Sequence, residues 1–282
     1  MSELIGSRYE LRRTRTGAAE AKGRDYAEVF PEDLAYESDE EVSGYVHSIE
    51  VGSTVDGPGI RFVLFLTGCP MRCQYCHNPD TWHKHNGKKY TLARITREIG
   101  KYAKVLKLSK GGLTISGGEP AMQPRFLRRV MQATKAMGVH TCLDTSGRLG
   151  RNLTDADLAD IDLQLLDIKS GDPATYERVT GHPLQPTLDY ATRLSDLGRP
   201  LWIRFVLVPG LTDDPDNVAR VADICAGLKS LERVEILRFH QMGKAKYEQL
   251  GIAYPLADTE PPTPELTERV REQFRERGLT VY

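Results

Sequence analysis

The chain is short of several things, and each shortage removes a class of protein. It has five cysteines in 282 residues, too sparse and too odd a count for a disulfide framework, and no secretory signal points to an oxidising destination. No apolar run approaches the roughly 20 residues that span a bilayer. Charge of one sign is not in excess: 38 Lys and Arg face 39 Asp and Glu, a formal net charge of -1, so nothing favours nucleic acid or a membrane surface as a partner. Internal repeats and long linkers are also missing. What remains is an ordinary cytoplasmic globular chain, long enough for one large α/β domain.

Three of the five cysteines, Cys69, Cys73 and Cys76, fall within eight residues in the run Thr67-Gly68-Cys69-Pro70-Met71-Arg72-Cys73-Gln74-Tyr75-Cys76-His77-Asn78. No fourth lies near. A cluster used only for electron transfer normally takes four thiolates. Three thiolates on a four-iron cluster leave one iron open, as a catalytic zinc keeps a position for substrate. The alternative is a structural zinc held by the three cysteines and His77, although such sites usually draw on two separated pairs. Cys142 and Cys225 are distant and read as small buried hydrophobes. The stretch from His77 to Glu119 contains no cysteine.

From Ile60 onward, β-rich runs alternate with amphipathic stretches. The predicted strands are Ile60–Leu66, Leu113–Ile115, Val139–Leu143, Leu163–Ile168, Leu201–Val208 and Val234–Phe239. One helix starts at Leu92, with Ile95, Ile99, Tyr102 and Leu106 continuing its apolar stripe. A last one is capped by Thr263, opens at Pro264 and buries Leu266, Val270 and Phe274. Alternation of this kind predicts parallel strands with crossover helices, here six units of a partial (β/α)6 barrel. Polar motifs follow the six strands in turn: Cys69 to Cys76, Ser116 to Pro120, Asp144 to Gly147, Asp167 to Lys169, Val208 to Gly210, and His240. In a parallel barrel those strand ends share one face, where catalytic groups gather.

Each motif also has a plain reading. Gly117 and Gly118 can simply turn the chain after a strand, or let carbonyls approach a ligand while Glu119 accepts from an ammonium. Asp144 is an ordinary turn residue or a hard oxygen ligand. Lys169 is a solvated lysine or a partner for a carboxylate, and His240 a local hydrogen-bonding group. Asp56 and Arg61, in the Gly-rich run before the first strand, serve either a tight turn or a protein substrate. His47, His83, His85, His140 and His182 do not converge on these motifs and read as structural or surface residues.

The C-x3-C-x-aromatic-C pattern, with Tyr75 as the aromatic, resembles the radical S-adenosylmethionine enzymes. The flanks Gly52-Ser53-Thr54-Val55-Asp56-Gly57-Pro58-Gly59-Ile60-Arg61-Phe62 and His77-Asn78-Pro79-Asp80-Thr81-Trp82 resemble those of the activases of glycyl radical enzymes, in particular the ones that act on pyruvate formate-lyase. The likeness runs from about Gly44 to the C-terminus. It implies one 4Fe-4S cluster on Cys69, Cys73 and Cys76, whose open iron is chelated by the amino nitrogen and carboxylate of S-adenosylmethionine. It assigns cofactor contacts to Tyr75, Cys76, His77, Gly117, Gly118, Glu119, Asp167, Ile168, Lys169 and His240, a monovalent cation to Asp144, and substrate contacts to Asp56 and Arg61.

The implied reaction is reductive cleavage of S-adenosylmethionine, after which the 5′-deoxyadenosyl radical removes hydrogen from a backbone glycine of the partner. A low-potential donor such as flavodoxin or ferredoxin would supply the electron. A radical enzyme acting on a small molecule is the second reading, and an electron-transfer or zinc-stabilised binding protein the third. Thr67 departs from the glutamine associated with this position in some relatives. Residues 1–43 stand apart from the catalytic domain expected over 44–282. They run from a basic stretch (Arg12, Arg13, Arg15, Lys22, Arg24) to an acidic one (Glu32, Asp33, Glu37, Asp39, Glu40, Glu41), and read as a self-neutralising, partly flexible tail or as a docking arm for the partner protein.

Overall fold

The first strand, β1 (Ser43–Ser53), runs antiparallel to β2 (Arg61–Leu66), and its other edge takes β3 (Lys88–Thr91), also antiparallel. The computed structural model describes residues 42–282. Apart from Val42 and Ser43, the expectations for residues 1–43 lie outside the described residues. Val42 is buried, and its carbonyl accepts from Leu92 N at 2.8 Å.

Beyond β2 the sheet is parallel: β4 (Gly112–Gly117), β5 (His140–Thr145), β6 (Leu163–Asp167), β7 (Leu201–Leu207) and β8 (Leu231–Arg238). The order across the sheet is β3-β1-β2-β4-β5-β6-β7-β8. The six predicted strands are the six parallel ones, with ends displaced by up to three residues. β1 and β3 escaped the sequence reading because both are half-exposed and polar, and β1 alternates buried and exposed residues only over its first half.

Parallel neighbours require long crossovers, and helices supply them: α1 (Leu92–Leu108), α2 (Pro124–Ala136), α3 (Asp155–Ala159), α4 (Pro173–Thr180), α5 (Gln185–Asp196) and α6 (Pro215–Ala226), with α7 (Lys244–Leu250) and α8 (Pro264–Arg275) after β8. In α1 the Thr91 hydroxyl accepts from Arg94 N at 3.3 Å, and Leu92, Ile95, Ile99 and Leu106 are buried. Tyr102, expected on that stripe, is 37% exposed. In α8, Thr263 caps the first turn and Val270 and Phe274 are buried, while Leu266 is only half-buried at the edge of the core. Among the described residues no helix is long and apolar enough to cross a membrane.

One core joins the strands to the helices that cover them, including Leu64, Ile115, Leu143, Leu166, Ile203 and Phe205 from the sheet and Ile99, Val130, Leu194, Val221 and Phe274 from the helices. Each such side chain contributes about 1.5–3 kcal/mol by leaving water. Register then sets the site. Leu66 lies opposite Gly117, Ile115 opposite Leu143, Thr145 opposite Leu166, Asp167 opposite Arg204, and Leu207 opposite Arg238. The carboxyl ends of the six parallel strands therefore form one continuous rim.

Candidate active site

Directly after β2, main-chain bonds bend the chain into the cysteine turn. Gly68 has φ +94° and donates to Thr81 O at 2.7 Å, and Cys69 N donates to Trp82 O at 3.0 Å. Thr67 is fully buried, and its hydroxyl donates to the carbonyls of Lys84 and Tyr45, so this departure from a longer amide fastens the strand end to the loop behind it. On the far side, Arg72 N and Gln74 N donate to Thr180 O and Val179 O at the end of α4, both at 3.0 Å. The Arg72 guanidinium lies 4.7 Å from the Trp82 ring centroid.

The three cysteines line a cavity of about 240 Å³ together with Tyr75, His77, Gly117, Gly118, Asp144 and Lys169. Burial pushes the Cys69 thiol well above its ordinary pKa, pushes Cys73 up to about 11, and raises Cys76. Three half-buried thiols that resist ionisation need a cationic centre to become thiolates. Among the described residues no three His, Cys, Asp or Glu groups converge tightly enough to hold a single metal ion. The cavity lining offers three thiols and no fourth, the donor set expected of a cluster that keeps one iron open. The Tyr75 hydroxyl is buried without a hydrogen-bond partner among the described residues. The donor set therefore fits a 4Fe-4S cluster.

Opposite the thiols, Gly117 has φ +117°, and a Cβ there would stand 2.3 Å from Leu66 O; at Gly118 it would stand 2.4 Å from Gly68 O. Gly118 N donates to Leu66 O at 2.9 Å and Glu119 N to Gly68 O at 2.8 Å. The Gly-Gly turn is thus fastened to the cysteine turn by main chain alone, and only glycine fits.

Glu119 departs from its expected role. It is 1% exposed and does not line the cavity. One carboxylate oxygen accepts from Thr145 Oγ1 at 2.7 Å and from Ala121 N at 3.2 Å, and the other from Ser146 N at 3.0 Å and the Ser146 hydroxyl. Its capacity is filled by protein donors, so it ties the β4 and β5 ends together, while Gly117 and Gly118 line the cavity.

Lys169 does reach the cavity. Its ammonium is 2.9 Å from Asp167 Oδ2 and 5.6 Å from the Tyr75 ring centroid. Burial works against the charge, but Asp167, with Cys73 and Tyr75 beside it, outweighs burial and holds the pKa well above the ordinary lysine value. Lys169 is therefore charged at neutral pH where it lines the cavity. Ile168 between them is fully buried, with its N–H donating to Arg204 O at 3.1 Å, so its side chain belongs to the core. His240 stacks on His77 with ring centroids 4.2 Å apart and lies behind it, outside the cavity lining. Burial and the neighbouring His240 both lower the His77 pKa.

Asp144 accepts from Ser116 Oγ at 2.7 Å, and burial raises its pKa to about 6 against the opposing pull of Arg204. Arg204, which the sequence reading passed over, sits inside the barrel at 7% exposure, 3.5 Å from Asp144, 3.1 Å from Glu235, and donating to Val55 O at 2.6 Å. A second strut, Thr114 Oγ1 to Asp56 O at 2.6 Å, holds the same Gly-rich segment in the barrel floor. Arg61 is a correction. It is fully buried at the amino end of β2, where it donates to Thr114 Oγ1 at 2.9 Å and to the carbonyls of Leu113 and Pro58, and it offers no surface to a protein substrate. Asp56 is half-buried and accepts from Ser53 Oγ.

Lys169→Met should keep the fold and the iron content while weakening S-adenosylmethionine binding about tenfold or more, the usual worth of a buried charge-assisted contact. Equilibrium binding to the iron-loaded protein measures it, and an unchanged affinity removes Lys169 from the site.

Residues 63–222 match the model of the radical SAM superfamily. Over 242 residues the chain is 41% identical to a pyruvate formate-lyase-activating enzyme of Staphylococcus epidermidis, covering 83% of this chain and 95% of that one. Over 234 residues it is 44% identical to the enzyme of the same name from Streptococcus mutans, covering 80% and 89%. A solved domain of a pyruvate-formate lyase-activating enzyme from Bacteroides vulgatus superposes with a TM-score of 0.52 at 24% identity, covering 61% of this chain and 98% of that one, a likeness of fold. Members of the superfamily bind a 4Fe-4S cluster and S-adenosylmethionine. With the three-cysteine turn and the glycine cradle facing each other across one cavity, this chain belongs to the radical SAM superfamily and, within it, to the family of pyruvate formate-lyase-activating enzymes.

Proposed function

We propose that this chain activates pyruvate formate-lyase by generating a radical on a backbone glycine of that enzyme. The observation that carries the reading is the single cavity in which Cys69, Cys73 and Cys76 face Gly117, Gly118 and Lys169. When bound, the cluster and S-adenosylmethionine supply the electron and the 5′-deoxyadenosyl radical that abstracts hydrogen.

The chain's own residues bind and orient. The three thiolates would hold the cluster, and Tyr75 lines the cavity beside them. Carbonyls of the Gly117–Gly118 turn would receive the cofactor's amino group, while Lys169, fixed by Asp167, would receive its carboxylate. Asp144 joins a monovalent cation close by, and His77, backed by His240, borders the nucleoside. Asp56, near the barrel floor, is assigned to the partner's glycine loop. Water and oxygen are excluded by the buried walls, because a primary radical would otherwise be quenched. No acid–base pair is required for hydrogen abstraction.

The physiological setting is cytoplasmic, with a flavodoxin or ferredoxin as donor, and the catalytic domain begins at about residue 44 after a separate N-terminal extension. Reduced, iron-loaded protein mixed with S-adenosylmethionine and pyruvate formate-lyase should give an electron paramagnetic resonance doublet that collapses when the target glycine carries deuterium at Cα. Ready formation of 5′-deoxyadenosine without any glycine signal would sink the assignment and point to a small-molecule substrate.

A further inference from the structure

Helix α1 carries Arg94, Arg97, Lys101, Lys104 and Lys107 against one acid, Glu98. Steps of three and four residues put the five cations on one side of the helix, and all five are exposed. Among them Tyr102, Val105 and Leu108 stand 37%, 55% and 76% exposed. A protein of net charge -1 thus presents a basic, partly apolar helix face. The charges are also poorly placed for the helix itself. No acid occupies its first turn, where the helix dipole favours negative charge, and Arg94 stands there instead.

The chain enters the described structure at this same place, since Val42 O accepts from Leu92 N, the first residue of α1. Immediately before it, residues 25–41 hold eight acids, from Asp25 to Glu41, and neither Lys nor Arg. The same stretch contains Tyr26, Val29, Phe30, Leu34 and Tyr36. Seventeen residues reach at most about 60 Å when extended, and the 17 residues of α1 span about 25 Å. The segment is long enough to follow the helix from end to end.

We propose that residues 25–41 dock along the exposed face of α1, their carboxylates against the Arg and Lys stripe and their apolar residues against Tyr102, Val105 and Leu108. Covalent attachment at the end of the face gives the segment an effective concentration of roughly millimolar or more, which favours it over a separate acidic protein of lower abundance. The charge pattern also sets the direction of the effect of salt. Contacts between exposed charges weaken as the screening length falls from about 10 Å at 0.1 M to about 3 Å at 1 M.

Zero-length carbodiimide coupling of the full chain at low salt tests this. Peptide mapping of the monomer should find amide links from carboxylates of residues 25–41 to Lys101, Lys104 or Lys107. The yield should drop about fivefold or more at 1 M salt. A full-length variant carrying Glu37→Gln, Asp39→Asn, Glu40→Gln and Glu41→Gln should show a similar drop, with its fold monitored by circular dichroism. Links to Lys22 alone would mean that the extension neutralises itself, and links between chains would mean that a second copy covers the face. Either result, or no link to the three lysines, overturns the proposal.

Discussion

Replacing Cys69, Cys73 or Cys76 with alanine is expected to abolish cluster assembly and, with it, all cleavage of S-adenosylmethionine. Each residue supplies one of three thiolates, and no other thiol can take its place. Cys142 is fully buried on β5 among Leu163, Leu165 and Trp202, and Cys225 is fully buried in α6. The loss should therefore exceed the roughly 10–100-fold typical of changes outside the immediate ligands of a metal. Folding should be spared, because the turn is held by main-chain bonds from Gly68, Cys69, Arg72 and Gln74. Iron and sulfide per chain, visible absorption and 5′-deoxyadenosine yield measure the outcome. An alanine variant that keeps full iron and full cleavage would refute the ligand assignment.

Arg204→Met should be the most destabilising single change in the barrel interior. It leaves Asp144 without that cation, leaves Glu235 with Arg233 alone, and removes the donor to Val55 O. Breaking a buried ion pair from one side costs about 3–5 kcal/mol, or roughly 6–20 °C in melting temperature for a domain of this size. The deficit should depend on pH. Asp144 already titrates near 6 because burial raises its pKa, and losing Arg204 raises it further. Protonation below that pKa removes the uncompensated charge, so the deficit should be smaller at pH 5 than at pH 8. Urea unfolding at the two pH values decides it, and a deficit below about 1 kcal/mol at pH 8 would show that water replaces the guanidinium.

β2 and β4 to β7 were legible because they are buried on both faces along most of their length, β8 because its apolar residues alternate with charged ones, and the site was legible because the polar motifs fall at or just after the strand ends. The misses share another cause. Arg204 interrupts the otherwise apolar strand Leu201–Leu207, and an arginine in such a place must be paired inward, but sequence does not name partners 60 residues upstream or 31 downstream. Motif membership points Arg61 toward a substrate and Glu119 toward the cofactor. Only coordinates reveal that their hydrogen-bonding capacity is filled by Thr114, Leu113 and Pro58 in one case and by Thr145, Ser146 and Ala121 in the other. β1 and β3 were hidden because a half-exposed antiparallel edge keeps a weak alternation.

The contact between Gly118 and Gly68 bears on how freely this enzyme can be re-engineered. A side chain at position 118 would meet Gly68 O and, at 3.2 Å, Thr81 O; these are peptide oxygens, which no rotamer change can move aside. The separation between the cysteine turn and the glycine cradle is therefore set by backbone atoms alone. Side chains that line the cavity away from this contact, such as Val206 and Leu237, can be varied without altering that separation.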